Sequence, residues 1–190
     1  MKISRRRMLG SSAAALTFCC APELLAQARN DGGIRINHVG EFLDELRVSR
    51  TYTMECARAM PETNINFAPV PTMRTYGQQL VHLAESIPGM FELFIEEKAK
   101  PIYTFSEAGK EEVRSKNDVI AQLGKGFDYV ESAAAKVRNS DLRKMVKTFG
   151  GLEMSKHRVL RFILDHATHH RSQCVVYLRI SGIRPPLYRA

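Results

Sequence analysis

The chain has 190 residues, with 28 Lys and Arg against 20 Asp and Glu, and a net charge of +8. That length is about one domain, large enough to bury a core without disulfide staples. The charges are interspersed, as in Glu96-Glu97-Lys98 and from Arg138 to Arg143, and no basic stripe interleaved with aromatics appears, which argues against a nucleic-acid partner.

The N-terminus reads Ser4-Arg5-Arg6-Arg7-Met8-Leu9 and is followed by an apolar stretch from Ser11 to Ala21. The first part closely resembles a twin-arginine export signal. The stretch is too short and too rich in small residues to persist as a membrane anchor, and Ala26-Gln27-Ala28 offers a cleavage site. The expected organisation is a cleavable signal peptide over residues 1–28 and one domain over 29–190, with a periplasmic location. A lipoprotein anchor is the weaker reading, because Phe18 precedes Cys19 where a small residue would be expected. Cleavage removes Lys2, Arg5, Arg6, Arg7 and Glu23, which lowers the net charge from +8 to +5. It also removes Cys19 and Cys20. Cys56 and Cys174 remain, either as one disulfide or, in the favoured reading, as two separate buried thiols.

Helical patterning dominates the rest. The first helix is predicted from His38 to Met60, with Phe42, Leu46, Cys56 and Met60 in the core and Pro61 as its stop. A linker with Pro69 and Pro71 follows. The second helix is predicted from a Thr72 cap to about Lys98, kinked or broken at Pro88-Gly89. Within it, the face of His82 carries Thr75, Gln78, Gln79, Ser86 and Gly89. That face is either a pocket wall or a solvated surface with a lone His. Residues 99–114 read as a loop. Ser115-Lys116-Asn117-Asp118 resembles a capping box and starts a third helix that runs to about Val137. A short helix is expected over Asp141–Phe149, ended by Gly150-Gly151. The last helix is predicted from Leu152 to Ser181, with Gly182 as its C-terminal cap. No strand is predicted, so the pattern is that of an all-α bundle.

The last helix carries the most informative residues. His166 and His170 stand at i and i+4, on one face and one turn apart. Such a pair can hold one divalent metal ion. Counting about 100° per residue, the same stripe carries Val159, Phe162, Gln173, Tyr177 and Ile180. Two adjacent imidazoles on a mostly apolar face need polar partners. A shared metal satisfies both; backbone or water would also serve. His169 points about 60° and 100° away from His166 and His170, toward the surface or an outer contact. His82 is the best candidate for a third donor.

Several segments together resemble a known family. They are Phe67-Ala68-Pro69, Tyr76-Gly77-Gln78-Gln79-Leu80-Val81-His82, Gly150-Gly151-Leu152-Glu153-Met154-Ser155-Lys156 and His166-Ala167-Thr168-His169-His170-Arg171-Ser172-Gln173. Val176-Tyr177-Leu178-Arg179 and Gly182-Ile183-Arg184-Pro185-Pro186 complete the set. From about residue 36 to 188 the chain resembles the DinB-like (YfiT-like) metalloenzymes. Their last-helix signature is a His, three residues, then His-Arg-Gly-Gln; here Ser172 replaces the Gly. The resemblance implies an up-and-down four-helix bundle, with the short extra helix before the last long one, and a homodimer. It implies His82, His166 and His170 as ligands of a divalent metal such as zinc, nickel or iron. It implies a metal-dependent hydrolase or thiol S-transferase acting on a small molecule. Gln173 and Tyr177, on the stripe of the ligands, are either candidates for orienting substrate or ligands or ordinary polar and aromatic core residues. The alternative is a non-catalytic periplasmic metal-binding or structural protein. Twin-arginine export carries folded chains, so the metal would be loaded before the chain meets a pool in which affinity alone favours copper.

Overall fold

The computed structural model describes residues 36–103, 113 and 115–189. The signal peptide expected over residues 1–28 lies outside the described residues, as does most of the loop expected over 99–114. Four long helices form the domain: α1 (His38–Ala59), α2 (Tyr76–Met90), α3 (Lys116–Ala134) and α4 (Lys156–Ile180). Both α1 and α2 pack against α3 and α4. The order around the four-helix bundle is therefore α1, α3, α2, α4, with the chain neighbours α1 and α2 on one diagonal. This places α2 directly beside α4. Among the described residues, no helix is long and apolar enough to cross a membrane.

The helix starts follow from their caps. Asn37, Thr75, Ser115 and Ser155 each accept a backbone N–H of the first turn on a side-chain oxygen. The α2 start falls at Thr75 rather than Thr72 because Thr75 and Gln78 bond reciprocally. Thr75 Oγ1 accepts from the Gln78 N–H at 3.2 Å, and Gln78 Oε1 accepts from the Thr75 N–H at 2.8 Å. The predicted α1 core positions Phe42, Leu46, Cys56 and Met60 are all buried. So are Leu80, Leu83 and Ile87 of α2, Leu123 and Phe127 of α3, and Ile163 and Leu178 of α4. Cys56 and Cys174 are free, buried thiols. Burial pushes the Cys56 thiol up to about 11, which keeps it protonated and unreactive at neutral pH.

Pro88 does not break α2. The helix continues to Met90 and then widens into a π turn over Phe91–Ile95. Lacking an N–H, Pro88 leaves the Ala84 carbonyl without its usual intrahelical donor. That carbonyl is met by α3 at Gly126, where a Cβ would sit 2.4 Å from Ala84 O. The glycine is what lets the two helices close to that distance.

The short helix expected over Asp141–Phe149 is absent. A 3₁₀ segment over Asn139–Arg143 leads into a two-stranded antiparallel hairpin, β1 (Met145–Lys147) and β2 (Glu153–Ser155), with Val146 opposite Met154. Gly150 and Gly151 have φ of 65° and 79°, the left-handed region that suits glycine and turns the chain back. Thr148 closes the loop, its N–H and its hydroxyl both donating to Leu152 O at 2.7 and 2.8 Å. The strand alternation is short: Met145 exposed, Val146 buried, Lys147 exposed. For the same reason α4 begins at Lys156 rather than Leu152. Lys156 then anchors the hairpin, its Nζ donating to Ile95 O at 2.5 Å and pairing with Glu97 at 2.9 Å.

Candidate metal centre

Adjacency of α2 and α4 brings His82 to His166 and His170. One ring nitrogen from each lies within 4.8 Å of the other two. Ring centroids are 5.3 Å apart for His82 and His166, 4.6 Å for His82 and His170, and 4.5 Å for His166 and His170. Nitrogens bound to one tetrahedral ion at about 2.0–2.1 Å would stand about 3.3 Å apart. Small side-chain rotations therefore suffice for all three to share an ion. His82 and His166 are half-buried, and His170 is 6% exposed.

The electrostatics suit a metal. Burial is the first cause that lowers all three imidazoles. Neighbouring imidazoles add to it for His166 and His170, and the positive charge of Arg74 adds to it for all three. The result is about 4 for His166 and about 3 for His170. The rings are thus neutral at pH 7 and offer lone pairs without having to lose protons first.

A chain of side-chain bonds fixes their orientation. His170 Nδ1 lies 2.7 Å from Gln79 Oε1. An amide oxygen only accepts, so Nδ1 carries the proton and Nε2 presents its lone pair. Gln79 Nε2 donates in turn to Gln173 Oε1, and Gln173 Nε2 donates to His169 Nε2 at 2.7 Å. A glutamine from each helix thus holds the third ligand in one tautomer, an arrangement common around metal-bound imidazoles. On the other side, Ser86 Oγ lies 2.9 Å from His166 Nε2. Ser86 is one turn beyond His82 and completes the polar wall.

The other residues singled out in the sequence separate by role. Gln173 belongs to the relay. Tyr177 is 1% exposed, and its hydroxyl donates to the Arg74 carbonyl at 2.9 Å. His169 is exposed; it accepts from Gln173 and its ring stands edge-on to that of His170, with centroids 4.9 Å apart. The stripe is core at Val159 and Tyr177 but exposed at Phe162 and Ile180. Two arginines were not singled out by spacing. Arg171 bonds Ser49 at 2.7 Å and Thr168 at 3.1 Å and lies 5.0 Å over the Tyr52 ring, tying α4 to α1. Arg74 lies just before the α2 cap, and its buried Nε has no hydrogen-bond partner. Glu85 Oε2 is buried without a partner as well, and burial raises its carboxyl above the usual range.

The lowered imidazoles give an expected pH dependence for the metal-free chain. When unfolded, His166 and His170 take up protons as pH falls below about 6.5; when folded, they do so only near pH 4 and pH 3. Between those values the unfolded state binds more protons, so stability falls as pH falls. Chelator-treated protein should melt at a lower temperature at pH 5 than at pH 7, a window in which few carboxylates titrate. Equal melting temperatures would contradict the burial of these rings.

The sequence matches the DinB family over residues 35–189. No curated protein matches the chain. Among solved structures, a DinB-like protein from Bacillus cereus ATCC 10987 is similar at 19% identity and a TM-score of 0.66, covering 78% of this chain and 95% of that one. A DinB-like protein from Bacillus subtilis, YjoA, is similar at 17% identity and a TM-score of 0.64, covering 78% and 98%. YfiT from Bacillus subtilis, described as a probable metal-dependent hydrolase with an unusual four-helix bundle topology, is similar at 14% identity and a TM-score of 0.62, covering 76% and 87%. At these identities the likeness is one of fold.

Proposed function

The chain belongs to the DinB family, and on that premise we propose that it is a metal-dependent hydrolase whose divalent ion is held by His82, His166 and His170. One observation carries the reading. Among the described residues, the cluster of potential ligands holds three imidazoles and no fourth His, Cys, Asp or Glu. Structural zinc sites close their shell with four protein ligands, whereas catalytic sites keep a position open. Three neutral ligands also leave the full charge of the ion available. Such an ion supplies Lewis acidity and activates water, or a thiol, as a nucleophile. The chain's own residues do the positioning. Gln79 holds His170 with Nε2 directed away from its amide, Gln173 and His169 extend that hold, and Ser86 places a hydroxyl beside His166. The description of YfiT as a probable metal-dependent hydrolase supports the same reaction class.

The test uses protein purified from the periplasmic fraction, where the twin-arginine reading places it. The chain is stripped with a chelator, reloaded with zinc, nickel or iron(II), and assayed on ester, amide and phosphoester substrates. Hydrolysis should appear with one of the metals and be missing from His170→Ala. Metal-loaded protein that hydrolyses none of them, and gives up its ion to a weak chelator within seconds, would favour a metal carrier instead. Recovery of the chain only from the cytoplasm would remove the exported location from this reading.

A further inference from the structure

A second pair of imidazoles lies where α1 and α4 begin side by side. The His38 and His157 rings stand 4.5 Å apart, centroid to centroid, the same separation as His166 and His170. Neither belongs to the metal centre. His157 lies nine residues before His166 on α4, two and a half turns and roughly 13 Å away, and so on the opposite face of the helix. Both rings are half-buried. They line a cavity of about 40 Å³ together with Phe42 and Leu160, more than the roughly 10–15 Å³ that one water needs.

Glu41 sets the chemistry of the pair. Its carboxylate oxygen lies 3.2 Å from His38 Nδ1. A carboxylate only accepts, so in the neutral ring Nδ1 carries the proton and Nε2 keeps its lone pair. A carboxylate behind one imidazole nitrogen, with the other nitrogen left to bind, is the arrangement that orients metal-bound histidines. Glu45, which also lines the cavity, is taken up by Arg161 Nη1, 3.1 Å from each of its oxygens.

We infer that His38 and His157 bind a second divalent ion of the kind that imidazole favours, zinc, nickel or copper, with Glu41 as a positioning residue. Two ligands hold an ion less firmly than three, and the positive N-terminal ends of α1 and α4 oppose a cation. Glu41, in the first turn of α1, offsets part of that charge. The second site is therefore the weaker of the two. It fills at excess ion and empties when the protein is washed, while the metal centre stays loaded.

Titration calorimetry with zinc on the chelator-stripped chain tests it. The wild type should bind two ions per chain, the second at least tenfold more weakly than the first. His38→Ala and His157→Ala should each remove the second step, leaving the first within twofold and the helical signal unchanged. Glu41→Ala should weaken the second step at least threefold without touching the first. Glu41→Gln should restore part of it, because an amide oxygen still accepts from Nδ1. A wild type with no second step, or a second step that survives in His157→Ala, overturns this site and leaves the metal centre standing. A wild type that shows only the weak step, and loses it in His157→Ala, contradicts the metal centre and supports this site.

Discussion

His170→Ala, and equally His166→Ala, should abolish stoichiometric metal binding, while His169→Ala should retain it. Structural zinc sites share roughly 10–16 kcal/mol among four protein ligands, so one imidazole is worth about 2.5–4 kcal/mol, or roughly a hundred- to a thousandfold in affinity. His170 removes more than a ligand, because Gln79 loses the proton it accepts at 2.7 Å and the relay to Gln173 and His169 loses its inner end. His82→Ala should lower affinity to a similar degree. The helical signal should hold in each variant, since Ala is a good helix former. Elemental analysis and chelator competition give the stoichiometry and affinity, and circular dichroism on the same samples gives the fold. Metal-free His169→Ala beside fully loaded His166→Ala would place the site in the wrong register.

Gly126→Ala should destabilise the bundle, and Gly124→Ala should not. A Cβ at Gly126 would stand 2.4 Å from the Ala84 carbonyl oxygen and 3.3 Å from its carbon, both of them backbone atoms that no rotamer change can move. The helices α2 and α3 would have to part. Overpacking of this kind costs about 1–3 kcal/mol, and about 2 kcal/mol lowers the melting temperature of a domain this size by roughly 4–8 °C. A Cβ at Gly124, two residues away on the same helix, meets nothing within 4 Å. There, the better helix propensity of Ala is worth up to about 1 kcal/mol in favour of folding. Because Ala84 lies between His82 and Ser86, Gly126→Ala should also weaken metal binding, which Gly124→Ala leaves alone. Thermal melts of the two variants showing the same sign would contradict the close approach of α2 to α3.

The parts that were legible in the sequence are those set by local spacing. The i, i+4 register of His166 and His170 survives folding because one helix dictates it. His82 was legible through the family resemblance; its polar face, flanked by Gln79 and Ser86, fits a solvated surface as well as a pocket wall. Other features depend on partners distant in sequence. The direction of the Gln79 and Gln173 amides is fixed only when α2 lies against α4. Tyr177 shares the stripe of the ligands, yet its hydroxyl reaches the Arg74 carbonyl, 103 positions away in sequence. Arg171 turns to Ser49 of α1, 122 positions away. The hairpin around Gly150-Gly151 escaped notice because strands of three residues show too little alternation to stand out from a helical pattern. Pro88 promised a kink or a break, but α2 runs on to Met90, with the Ala84 carbonyl lying against Gly126 of α3.

X-ray absorption and anomalous diffraction on zinc-loaded protein test the metal centre most directly. The expected result is one ion bound by imidazole nitrogens of His82, His166 and His170 at about 2.0–2.1 Å, with an exchangeable light atom completing the shell. An ion located elsewhere, or a shell closed by a fourth protein side chain, would contradict it.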